Sequence, residues 1–183
     1  DNTNSTTIQS EICRLLACTG IFLITVFSSC NSKDKTFEES SQQTCGSAEL
    51  ALPEVPDSIK LPVDRADYVI AHFWDMMNFA DTTISLDTAF MEQNFVNYIQ
   101  LYDYASEDGR SKGTERLMGK AGVMESTYRF VADIAERYLT DLNSPMRNEE
   151  HFLPFIEVFV NNTILPPEEK IRYEYLKTKI LKN

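Results

Sequence analysis

The sequence predicts an all-α fold: a compact bundle of about five helices over residues 61–183, following a signal segment at 1–29 and a flexible linker at 30–60. Three observations carry that prediction. Beyond residue 60 the apolar residues recur at spacings of three and four, the period of a helix face rather than the alternation of a strand. Between those stripes stand Pro, Asn, Ser and Asp, the residues that start and stop helices. Hydrophobic residues make up 43% and aromatic residues 11% of the 183, enough to fill one core, in a chain too short for two full-sized domains.

The first element is an address. "LLACTGIFLITVF", from Leu15 to Phe27, is too short to span a bilayer as a helix and suits the apolar region of a secretory signal. Ser28 and Ser29 immediately before Cys30 resemble a lipobox, so Cys30 is expected to become the lipidated amino terminus, anchoring the protein in the cell envelope facing the periplasm. Cys13 and Cys18 would leave with the signal, which leaves Cys45 without a disulfide partner, a CxxC pair or a zinc spacing. The polar stretch that follows, ending in Pro53 and Pro56, reads as a tether.

The helices follow in order. The first runs from Pro62 to about Met77, with Ala66, Val69, Ile70, Phe73 and Met77 as its stripe. The second runs from about Leu86 to Tyr104, capped by Ser85 or Asp87, and buries Phe90, Met91, Phe95, Tyr98, Ile99 and Tyr102. In the third, Leu117, Ala121, Met124, Tyr128, Val131, Ala135 and Tyr138 form one seam. Gly119 and Gly122 each cost it about 1 kcal/mol relative to alanine, which puts its first turn later than Thr114. A fourth helix after "DLNSP" holds Phe152, Phe155, Ile156, Phe159 and Val160, opens on the capped acidic turn "NEEH", and is kinked near Glu150 by Pro154. Pro166 and Pro167 open a fifth, with a Glu168–Arg172 pair and with Ile171, Tyr175 and Ile180 facing inward.

Net charge and composition exclude some partners. At −11 and a pI near 4.6, the chain repels phosphate backbones, so nucleic acid is not a partner. "GRSKG" and "GKAG" lack phosphate-loop spacing, no G-x-S-x-G elbow is present, and no cofactor motif stands out. "NNT" at 161–163 matches a glycosylation sequon, a pattern common by chance.

The densest stretch of chemistry-bearing residues is "HFWDMMNFAD", 72–81. His72 and Asp75, three apart, can meet on one helix face as a metal pair or a polarised base requires. A metal needs three or four ligands, and the only other histidine, His151, has no spacing that recruits it, so a structural pair is expected and no metal site. Phe73 and Trp74 read as core, with Asn78 and Asp81 ending the helix. Two other readings compete: a stand-alone periplasmic module binding a peptide or glycan-associated partner through exposed aromatics near Trp74, and an enzyme built on His72 with acidic residues, which needs those groups to converge in a pocket.

Four stretches carry a family resemblance: "LPEVPDSIKLPVDRADYVIAHFWDMMNFADT" (52–82), "FVNYIQL" (95–101), "DLNSPMRNEEHFLPFIE" (141–157) and "KIRYEYLKTKILKN" (170–183). Taken in order, they resemble an uncharacterised helical domain that precedes a thioredoxin-like domain in envelope lipoproteins of Gram-negative anaerobes. The resemblance covers about residues 50–183, and its specific parts are "HFWD" and "NSPMRNE". It implies a non-catalytic helical module that positions a thioredoxin-like domain, its substrate, or another periplasmic protein. Any thiol-disulfide oxidoreductase activity would reside in a longer parent protein, beyond the residues of this sequence. It carries over no catalytic residue. Its two blocks imply structural or docking roles for Arg65, His72, Trp74, Asp75, Asn143, Ser144, Pro145, Arg147 and Asn148.

Overall fold

The computed structural model describes residues 49–182. The signal segment, Cys30 and most of the linker lie outside the described residues. Those described contain seven α-helices and no strand: α1 (Pro62–His72), α2 (Thr82–Ser85), α3 (Thr88–Gln100), α4 (Glu107–Ala121), α5 (Glu125–Thr140), α6 (Glu149–Asn161) and α7 (Pro167–Ile180). A 3-10 turn, Leu101–Tyr104, joins α3 to α4. None of these helices is long and apolar enough to cross a membrane.

Two helices more than expected arise from breaks at identifiable places. The predicted first helix stops at His72, not Met77: the backbone tightens into three-residue turns, with Asp75 N–H donating to His72 C=O and Met77 N–H to Trp74 C=O. Asp81 does not end that helix but begins the next, accepting from Thr83 N–H as the cap of α2. Asp87 caps α3, accepting from Phe90 N–H. The third predicted helix is two, parted at Gly122–Met124, so α4 and α5 approach the core from different sides and Met124 is 40% exposed.

The start of α4 departs furthest from expectation. It opens at Glu107, well before Thr114, on a Ser106 cap with Glu107 and Asp108 in its first turn. Gly109 and Gly113 are kept inside it because α1 lies against them. A Cβ at Gly109 would stand 2.0 Å from Asp67 Oδ1, and one at Gly113 2.1 Å from Ile70 Cγ2. Close approach, not a turn, is the reason for glycine here.

Helix α6 runs unbroken through Pro154, capped by Asn148. The carbonyl that Pro154 deprives is Glu150's, in the exposed first turn where water can serve it. In α7 the inward residues are Tyr173, Leu176 and Ile180; Ile171 and Tyr175 are 66% and 73% exposed, contrary to expectation. Arg172 turns away from Glu168 and grips Glu136 of α5 through both terminal nitrogens.

These helices close one core. Helix α1 packs on α4, α4 on α6, and α6 on α5 and α7, while α3 leans on α5. A chain of rings threads it: Trp74 and Phe73 meet Tyr98, Tyr98 meets Tyr102, and Tyr102 stacks on Phe155. Phe155 then meets Phe159, which contacts Tyr173 at 4.8 Å. Each such pair adds about 0.5–1.5 kcal/mol beyond the area it buries. Leu50, read as linker, packs on this core and donates its N–H to Asn94.

Candidate functional site

The residues of "HFWD" do come together, at the turn that ends α1. His72 Nδ1 lies 2.7 Å from Asp75 Oδ2, three residues on. Helix α4 supplies two cations to the same carboxylate: Arg116 Nη2 at 3.1 Å and Lys120 Nζ at 3.1 Å from Oδ1. Tyr68 lies over the His72 ring, centroids 4.4 Å apart. One exposed carboxylate thus ties the end of α1 to the C-terminal half of α4.

This geometry sets what Asp75 can do. Partial burial opposes its ionisation, but hydrogen bonds from His72, Lys120 and Arg116 outweigh that and hold its pKa down at about 2. A carboxylate with every lone pair engaged and so low a pKa is a poor proton acceptor at neutral pH. Its role is that of an electrostatic clamp. Arg116 and Lys120 stand 41 and 45 positions beyond Asp75, and no sequence spacing could have announced them.

Trp74 is core. It is 3% exposed, packed edge-on against Phe73 and Tyr98 and tilted against Phe79. Trp74 itself therefore offers no contact surface. Its indole N–H has no partner among the described residues. Arg65, earlier in α1, donates to Ile59 C=O and fastens the approach to the helix.

The second block forms the α5–α6 connection. Asp141 Oδ1 accepts from Asn143 N–H, Ser144 Oγ donates to Tyr138 C=O, and Arg147 N–H donates to Ser144 C=O. Arg147 pairs with Glu149, and Asn148 caps α6 while its own N–H donates to Leu139 C=O. Asn143, Ser144 and Pro145 line an open cavity of about 290 Å³ with Arg137, Tyr138 and Asp141. The two blocks serve different elements: the first reaches α4, the second joins α5 to α6. "HFWD" meets the C-terminal half of α4, whereas His151, just past the second block, meets Tyr102 and Asp103 ahead of its N-terminus.

A larger cavity, about 390 Å³, opens between α5 and α7 around Arg129, Asp133, Glu136, Glu169 and Arg172. Its charges answer one another: Arg129 binds Glu125 and Glu169, and Glu136 accepts from Arg172 and Tyr173. Arg172 holds the Glu136 carboxyl below its ordinary range, against the opposing effect of burial. Among the described residues no three His, Cys, Asp or Glu side chains gather as metal ligands.

The pattern of a family described as "Domain of unknown function (DUF5106)" matches residues 28–183, through every helix above. The chain belongs to that family. This DUF5106 domain is also similar to a solved structure, that of a thioredoxin-like protein from Bacteroides caccae. The two are 29% identical with a TM-score of 0.63, over 70% of this chain and 47% of that one. The chain thus spans about half the length of the solved relative. No curated protein matches it.

Proposed function

We propose that this DUF5106 domain is a non-catalytic helical module of a lipid-anchored cell-envelope protein, and that it positions an associated thioredoxin-like domain or that domain's substrate in the periplasm. One observation carries the reading. The relative is named for a thioredoxin-like fold, which is built on βαβ units, yet the described residues of this chain, which match 47% of it, hold no strand. That supports reading the thioredoxin-like part of the relative as its other half, beside a helical domain like this one. The saturated Asp75 clamp supports a holding role, since its donors bind two helices together rather than face a reacting atom.

The test is the intact mass and sequence of the native protein extracted from the cell envelope. The expected result is a lipid-modified Cys30 and a mass well above that of residues 30–183 plus lipid, with a thioredoxin-like domain in the excess. A mass equal to those residues, with no thioredoxin-like protein co-purifying, overturns the positioning role. An unmodified Cys30 overturns the anchor. Loss of thiol-disulfide activity in a fully folded Asp75→Ala variant overturns the non-catalytic reading.

A further inference from the structure

Helix α7 is apolar on two sides. One side packs inward through Tyr173, Leu176 and Ile180. The other carries Ile171, Tyr175, Thr178 and Lys182, spaced four, three and four apart, in a single outward row; Ile171 is 66% and Tyr175 73% exposed, and Leu181 beside them is 64% exposed. Two large apolar groups one turn apart on an open helix face form an anchor pair of the kind a partner's groove receives.

The charges around that row are balanced. Glu168 and Glu174 flank it, Lys179 stands beside it and Lys182 ends it, on a molecule whose chain carries −11 overall. An acidic surface keeps most neighbours at a distance, and the outward face of α7, with Ile171, Tyr175 and Leu181, is one of its apolar places.

Area decides between occupants. A 14-residue helix is about 21 Å long, and a face roughly 10 Å wide offers on the order of 200 Å² to a partner. A stable dimer of free chains needs about 800 Å² from each side, several times more. A contact this small gains most from a tether, because the linker supplies an effective concentration near millimolar and neighbouring surface can add to it. A second copy of the domain meeting α7 to α7 falls short on that count.

We infer that the outward face of α7, centred on Ile171 and Tyr175, is the seat of a thioredoxin-like domain joined to this one in the same polypeptide. This inference rests on the positioning role proposed above. It adds the surface and the two side chains that make it.

The test places a photo-crosslinker in the full-length native protein in its cell envelope, as Tyr175→p-benzoylphenylalanine, with Met76→p-benzoylphenylalanine as a second, 80% exposed position outside this face. The expected result is a cross-link from position 175, and none from 76, to a peptide of the thioredoxin-like domain. Adding Ile171→Glu should lower that yield about tenfold or more, since it sets a charge in a small apolar contact, while helix content by circular dichroism stays unchanged. A cross-link only to a second copy's α7, or no cross-link although a thioredoxin-like domain is present, overturns this surface and leaves the positioning role standing. Absence of any thioredoxin-like domain from the protein overturns both.

Discussion

Two glycines in α4 should respond to the same substitution with opposite signs. Gly113 faces α1, and a Cβ there would stand 2.1 Å from Ile70 Cγ2 and 3.0 Å from Tyr98 Oη. Ordinary carbon contacts lie at about 3.5–4.0 Å, so the methyl must open a gap of roughly 1.5 Å. Ile70 cannot give way cheaply: it is 1% exposed, and its Cγ2 is a branch at Cβ, fixed by χ1. Tyr98 Oη is likewise held, receiving a hydrogen bond from Tyr102, whose hydroxyl pairs with Thr114. Overpacking of this kind costs about 1–3 kcal/mol, and alanine's helix propensity returns up to about 1 kcal/mol. Gly113→Ala should therefore lose about 1–2 kcal/mol, a fall in Tm of roughly 3–8 °C for a domain of this size. Gly119 has nothing within 4 Å of its would-be Cβ. Gly119→Ala should gain about 0.5–1 kcal/mol and raise Tm by roughly 2–4 °C. Thermal and urea unfolding followed at 222 nm reads both. If Gly113→Ala is neutral or stabilising, or if Gly119→Ala destabilises, the close α1–α4 packing described above is wrong.

Three further outcomes follow from the ion pairs. Asp75 has its pKa depressed to about 2, so the stability it contributes is complete above its unfolded value near 4 and fades as pH falls through 2. Its side chain is 35% exposed, so Asp75→Asn should cost no more than about 1 kcal/mol at pH 7, less in high salt and progressively less as pH falls through 2, measured by urea unfolding. His151 has its pKa pushed below 6.5 by burial first and by the Arg110 charge, against the pull of Asp103. It therefore stabilises the fold while neutral, above pH 6.5, and that contribution drains away as pH falls through its folded value. Urea midpoints from pH 7 to 5 should fall for the native protein and flatten for His151→Phe. Glu136 holds Arg172 Nη2 at 2.7 Å and Tyr173 Oη at 2.9 Å, so Glu136→Gln should cost about 1–2 kcal/mol and loosen α7, seen as faster amide exchange from Tyr173 to Ile180.

Much of the fold was legible because most helices show the core one clean stripe. Phe152, Phe155, Ile156 and Phe159 are all fully buried, as their spacing required, and so are Met91, Phe95, Tyr98, Ile99 and Tyr102. The reading failed where a helix is not amphipathic. The first two turns of α4, "EDGRSKG", carry no apolar residue at all, because their inward positions are Gly109 and Gly113, which pack by having no side chain. A stripe search sees nothing there, although Ser106 followed by Glu107 and Asp108 is a cap signal that needs no stripe. In α7 the error was reversed. Ile171 and Tyr175 repeat as regularly as Tyr173, Leu176 and Ile180, and period alone cannot say which of two apolar rows meets the core.

The same limit governs the candidate site. "HFWD" announced a His72–Asp75 contact, and the geometry delivers it, but the chemistry of Asp75 is decided by Arg116 and Lys120, brought in by the packing of α4 on α1. That packing depends on Gly109 and Gly113 letting the two helices approach, with Asp67 accepting from Ser106 N–H and Oγ at one end and Asp75 accepting from α4's cations at the other. The sequence holds the acceptors and the glycines 34 to 46 positions apart, with no local pattern to join them. Asp67 in α1 and Asp75 in the turn beyond it are thus a pair of fasteners around a glycine seam. Phe73 and Trp74, on the turn beyond α1, pack on Tyr98 of α3. In three dimensions the block fastens the end of one helix to another, through the contacts of Asp75 with His72, Arg116 and Lys120.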